Sequence, residues 1–179
     1  MGCGGSGLEH SHTRPERPQP PAPLPTGWHA YRDYASGLSV GAPPGWHTVR
    51  RRDSLRITSP DGLVAVSITA DRTSDALSVP PDRLARVTLS NLPGYRGGLG
   101  GGTPVQVGGT PLQVAALQST GVTSSGAPQR VTLVVLRRPH LVNYTLVAAA
   151  NENAPATEAA DGVAVARTVR DIPVAPNAP

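Results

Sequence analysis

Gly37-Leu38-Ser39-Val40-Gly41 spells G-x-S-x-G, the pattern that presents a serine nucleophile in one large class of hydrolases. That chemistry needs a strand, a tight turn and a helix, so that the serine Oγ stands clear beside N–H groups able to receive an oxyanion. Ser39 instead alternates with Leu38 and Val40 in a strand pattern, and Ala42-Pro43-Pro44 forbids the helix. His29, His47 and His140 stand singly, with no acidic partner at a telling spacing, and read as surface or packing residues. His10 and His12 form an H-x-H pair on a Pro-rich tail, a weak metal signal. The run Gly97-Gly98-Leu99-Gly100-Gly101-Gly102 lacks the G-x-G-x-x-G spacing and the Lys-Ser/Thr of a phosphate loop, and it follows a helix, so it reads as a flexible connector or lid. Asn143-Tyr144-Thr145 is a glycosylation sequon in mid-strand, which makes it incidental. The expectation is therefore no reaction centre, no metal and no cofactor: a non-enzymatic chain.

Binding is the chemistry left. Cys3 is the only cysteine, so no disulfide forms within one chain. The opening MGCGGSG matches the end of a bacterial lipobox, in which the Cys thiol is lipidated, although no basic and apolar leader precedes it here. The same letters fit the myristoylation pattern M-G-x-x-x-S. All 16 basic residues are Arg, and the Ala, Gly and Pro excess has the look of a GC-rich bacterial genome, which favours the lipoprotein reading. Residues 8 to 26, with Pro-Gln-Pro-Pro-Ala-Pro-Leu-Pro at their heart, read as a disordered spacer that would hold a domain off a membrane.

A net charge of +4, without basic residues clustered among aromatics, argues against nucleic acid. The one dense run, Arg50-Arg51-Arg52, reads either as a solvated loop or as an anion or headgroup contact, and Arg137-Arg138 poses the same choice. The candidate binding residues are Trp46, Arg50, Arg51, Arg52, Tyr95 and Arg96, on a surface combining the 43–52 loop with the 97–102 loop. Aromatics would anchor and Arg would orient; Trp46 reads equally well as a core plug.

The elements that must position these residues begin with an extended segment from Trp28 and three strands, marked by Leu38 and Val40, by Leu55 and Ile57, and by Val64, Val66, Ile68 and Ala70. Turns fall at Pro43-Pro44-Gly45 and Ser59-Pro60-Asp61-Gly62. Residues 78 to 92 read as a helix with Leu84, Val87 and Leu92 near one face. Val105 and Val107, residues 112 to 118, residues 131 to 136 and residues 141 to 149 read as further strands. The run Val131-Thr-Leu-Val-Val-Leu136 is apolar on both faces and therefore central. Asn153 is placed as the cap of a last helix with a stripe of Ala156, Ala159, Ala160, Val163, Ala166 and Val169. The expected fold is α+β, one antiparallel sheet of six to seven strands flanked by helices. It divides into a lipobox-like terminus and linker over residues 1–26, one domain over 27–173 and a disordered tail over 174–179.

This order of elements, with Trp28-x-x-Tyr31-x-Asp33, Gly37-Leu-Ser-Val40, Pro44-Gly45-Trp46, Ser59-Pro60-Asp61-Gly62 and Pro93-Gly94-Tyr95-Arg96, resembles the PsbP-like fold. It is most similar to extracytoplasmic domains of high-GC Gram-positive bacteria, including lipoproteins of the LpqN type. The resemblance implies an α/β/α sandwich that binds partners and brings no catalytic residues. The expected function is a monomeric, lipid-anchored domain on the outer face of the cell membrane that binds a protein or cell-envelope component. The alternatives are a small-molecule or lipid carrier, or weak hydrolase, with a pocket between sheet and helices, and a cytoplasmic partner protein should Cys3 carry no lipid.

Overall fold

The computed structural model describes residues 23–51, 54–95, 101–107, 112–123, 125–138 and 141–174. Cys3, His10, His12, Arg52, Arg96, His140 and Gly97 to Gly100 lie outside the described residues. Among the described residues ten strands form two antiparallel sheets. The larger has the order β3 (His47–Arg50), β4 (Leu55–Thr58), β5 (Val64–Asp71), β9 (Val142–Asn151), β8 (Pro128–Arg138), β7 (Gln113–Val122) and β6 (Thr103–Pro104). It consists of two meanders joined by their last strands, with Ile68 opposite Leu146. The smaller has the order β1 (His29–Asp33), β2 (Leu38–Ala42) and β10 (Arg170–Asp171). The α+β class and the seven-stranded antiparallel sheet thus agree with the sequence pattern.

Alternation decides which face each residue takes. On β8, Val131, Leu133 and Val135 pack beneath α2 (Pro81–Ser90), while Val134 and Leu136 join the core on the other face, where α3 (Ala156–Thr168) lies. This strand is apolar on both sides because a helix covers each. Pro81 opens α2 at a position where a missing N–H costs nothing, and Asp82 complements the helix dipole. The β4–β5 turn carries Gly62 at φ +75°, and its N–H donates to the Ser59 carbonyl at 3.0 Å, as the Ser-Pro-Asp-Gly run predicts.

Several expectations change. The first three strands do not form one meander: β2 pairs with β1 and β10 in the small sheet, and β3 takes its place beside β4. Helix α2 buries Ala85 and Leu89 while Val87 stays exposed, because the face that meets β7 and β8 is rotated from the expected stripe. Asn153 does not cap α3, which follows Pro155 without a side-chain cap; the buried stripe runs through Gly162, Val165 and Ala166. A short helix α1 (Ser74–Ser78), capped by Thr73, escapes the periodicity because five residues are too few to show a stripe. Arg137 is no solvated strand end. It is buried, donating to Asn143 at 2.7 Å and to the Ala76 carbonyl at 3.1 Å, and so secures the end of α1. Asn143, the sequon residue, is fully buried in the same network. Leu24, assigned to the linker by composition, lies close over Gly41.

Candidate functional site

The turn between β1 and β2 is the platform of the site. Asp33 folds back on its own turn, accepting from the Ala35 N–H at 3.2 Å and the Ser36 hydroxyl at 2.7 Å, as Asp does where a chain reverses. Arg50, at the end of β3, donates its Nε to the same carboxylate at 3.1 Å. Burial by itself would raise the Asp33 pKa, but the Ser36 hydroxyl, the Arg50 charge and the Ala35 N–H together hold it below the ordinary value. Asp33 therefore stays ionised and fixes the direction of the Arg50 guanidinium.

On the other side of the turn, Arg72, just after β5, donates Nη2 to the Ser36 carbonyl at 2.9 Å and to Asp171 Oδ1 at 3.4 Å. Asp171, in β10, also pairs with Arg138. The Tyr144 hydroxyl lies 2.8 Å from Asp171 Oδ1 and 2.8 Å from the Gly37 carbonyl. Burial opposes the Asp171 charge, while Tyr144, Arg138 and Arg72 favour it and prevail, so its pKa is lowered. Burial first, then the neighbouring carboxylate, pushes the Tyr144 phenol above its ordinary range. Gly37 holds φ +66°, and a Cβ there would stand 2.9 Å from the Ile172 carbonyl oxygen, so the turn is closed on this face by glycine alone.

Between this turn and the ends of β3, β4 and β5 lies an open cavity of about 330 Å3. Arg50, Arg51 and Arg72 supply its polar walls with Asp33, and Leu38, Leu55 and Ile68, each only 1% exposed, lie beneath. The Arg51 N–H donates to the Ser54 carbonyl at 2.7 Å, while its exposed side chain has no acidic partner among the described residues. Guanidinium forks on an apolar bed suit an anion, since each fork matches two oxygens of a carboxylate or phosphate. Among the described residues no histidine lines the cavity beside Ser36 and Ser54.

Of the candidate binding residues, Arg50 and Arg51 meet here, and Arg52 lies outside the described residues. Trp46 does not join them as an exposed anchor. It is 6% exposed, with its ring below α3 beside Gly162, and serves as the core plug. Tyr95 is half-buried against the cluster under α2. The described ends of the 43–52 and 97–102 loops do not meet, residues 52 and 97–100 lying outside the described residues. The first leads into and out of β3 and the second into β6, the two opposite edges of the large sheet. Six inter-strand steps of about 4.8 Å separate those edges, roughly 29 Å.

Arg72, Ser36 and Asp171 went unmarked in the sequence, and Asp33 was singled out only by the W-x-x-Y-x-D resemblance. A second cavity, between α3 and the sheet beside Ala148, Ala159 and Val163, measures about 180 Å3. Among the described residues no three His, Cys, Asp or Glu side chains gather to hold a metal, and no helix is long and apolar enough to cross a membrane.

No family model and no curated protein matches the chain. A crystal structure of a protein from Bacteroides thetaiotaomicron is similar at a TM-score of 0.55 with 12% identity, over 79% of this chain and 47% of that one. This chain thus spans about half of that protein's length. LpqN, which is involved in cell envelope biogenesis of Mycobacterium tuberculosis, is similar at a TM-score of 0.43 with 18% identity, over 90% of this chain and 88% of that one. At such identities the Bacteroides likeness establishes a shared fold, and function rests on the site.

Proposed function

We propose that this chain is a lipid-anchored, extracytoplasmic, non-enzymatic domain that binds a protein or other cell-envelope component through the arginine-lined cavity. The observation that carries it is the convergence of Arg50, Arg51 and Arg72 on one opening over Leu38, Leu55 and Ile68. Three strands and a turn bring them together, and Asp33 and the Ser36 carbonyl orient two of them. Cys3 supplies the anchor and the Pro-rich stretch that precedes Leu24 the spacer. The carrier reading puts its pocket between sheet and helices, where the cavity beside α3 measures about 180 Å3, below the roughly 300 Å3 at which small-molecule sites begin; the arginine-lined cavity, about 330 Å3, reaches that size but lies between the β1–β2 turn and the strand ends.

The test has two arms. Intact mass and membrane partitioning of the protein made in its own cell from its natural gene start should show a diacylglyceryl group on Cys3 that Cys3→Ser abolishes. Unlipidated protein in the cytosol overturns the address. Retention of the full chain on isolated envelope fragments should fall about tenfold in Arg50→Glu/Arg51→Glu, as expected on losing charge-assisted contacts. Unchanged retention overturns the surface.

A further inference from the structure

We propose that the arginine-lined cavity takes a phosphate monoester carried on a short aliphatic stem; this rests on the reading of that cavity as the recognition site. The charge count points to a dianion. Among the described residues that line the cavity, three guanidiniums, those of Arg50, Arg51 and Arg72, stand against one carboxylate, that of Asp33, and Asp171, which reaches Arg72 from outside the lining, is matched by Arg138, so two positive charges are uncompensated among these groups. A carboxylate ligand would bring one negative charge, whereas a phosphate monoester brings about 1.5 to 2 at neutral pH, with three acceptor oxygens. Those oxygens can engage more than one fork at once.

The forks are partly prearranged. Arg50 spends its Nε on Asp33, and Arg72 uses Nη2 for the Ser36 carbonyl and Asp171, so each is held in place while other N–H groups remain. The floor decides the rest of the ligand. Ala70 is part-buried and Leu38, Leu55 and Ile68 show only their edges, a narrow apolar strip, and among the described residues no aromatic side chain lines the cavity to stack a nucleobase. A volume of about 330 Å3 admits a phosphate and a short stem.

The experiment titrates the full-length protein with hexyl phosphate, inorganic phosphate, hexanoate and hexan-1-ol, followed by calorimetry and by amide shifts of Ala35, Ser36 and Arg51. Hexyl phosphate should bind about tenfold more tightly than inorganic phosphate or hexanoate, from apolar burial in one case and the second charge in the other, and hexan-1-ol should not bind. Arg51→Gln should weaken hexyl phosphate about fivefold without moving the thermal midpoint, since among the described residues only the Arg51 backbone is bonded in the fold. Vesicles of phosphatidate against phosphatidylcholine separate the sources: retention on phosphatidate identifies a lipid headgroup, and binding of hexyl phosphate alone identifies a soluble ester, either outcome supporting the assignment. No saturable binding of hexyl phosphate up to about 10 mM, or an Arg51→Gln protein that binds it like wild type, overturns it. If hexyl phosphate fails while Arg50→Glu/Arg51→Glu still abolishes envelope retention, the ligand class falls and the surface stands. If both fail, the surface falls as well.

Discussion

Replacing Thr168 with Val should loosen the tie between the two halves of the structure, and the size of the effect follows from one buried N–H. In the small sheet Arg170 lies opposite Ser39 and Asp171 opposite Leu38, so the same register would bring residue 168 opposite Gly41. There the chain is still helical, and the backbone ladder of β10 has not begun. The Thr168 hydroxyl stands in for it, accepting the Gly41 N–H at 2.8 Å and donating to the Val165 carbonyl at 2.6 Å, with the residue 6% exposed. Valine keeps the shape and removes both bonds. An orphaned buried N–H costs about 1–3 kcal/mol, and losing the second bond takes the expected total to about 2–3 kcal/mol. For a chain of this size that corresponds to a fall of roughly 4–12 °C in thermal midpoint. Thr168→Ser keeps the hydroxyl and gives up one methyl, about 1 kcal/mol. Urea unfolding followed by the fluorescence of Trp46, itself buried beneath α3, measures both variants. A Thr168→Val protein within about 0.5 kcal/mol of wild type, or a serine variant as unstable as the valine one, would refute the reasoning.

Three further outcomes follow from the same structure. Asp33 and Asp171 both have folded pKa values below the ordinary 3.8, so the stability they contribute is present above that value and is lost as pH falls through their lowered ones. Urea midpoints should drop below about pH 4 in wild type and drop less in Asp33→Asn or Asp171→Asn; parallel curves would remove these groups from the account. Tyr144 has its pKa raised above the ordinary 10.0, so its contribution is complete below that pH and is lost as pH rises past it. Tyr144→Phe should cost about 1 kcal/mol at neutral pH and flatten the alkaline decline, read by circular dichroism as pH is raised. Leu133→Ala, at a fully buried position beneath α2, should cost about 2–5 kcal/mol in urea unfolding through the cavity it leaves, and a smaller loss would mean that α2 can settle into the space.

Local chemistry settles much of this protein in its sequence. The alternation through Val64, Val66 and Ile68 gives β5 its core face, the unbroken run from Val131 to Leu136 requires cover on both sides, and Ser59-Pro60-Asp61-Gly62 sets a turn. Each depends on neighbours a few residues away, and period two or a fixed φ needs nothing more. Tertiary structure alone decides which strand edge meets which. Every antiparallel ladder uses the same N–H and C=O groups, so the backbone of β2 could have paired with β3; packing against α3 and the return of β10 take it to the smaller sheet instead. Likewise Trp46 reads as anchor or plug until Gly162 of α3 gives its ring a place to lie. The site is the clearest case. Arg50 meets Asp33 across 17 residues and Arg72 meets Asp171 across 99, and a charged side chain carries no mark in the sequence of the partner it will face. The arginine run is legible in the sequence, but the cavity it guards exists only once the two sheets have come together.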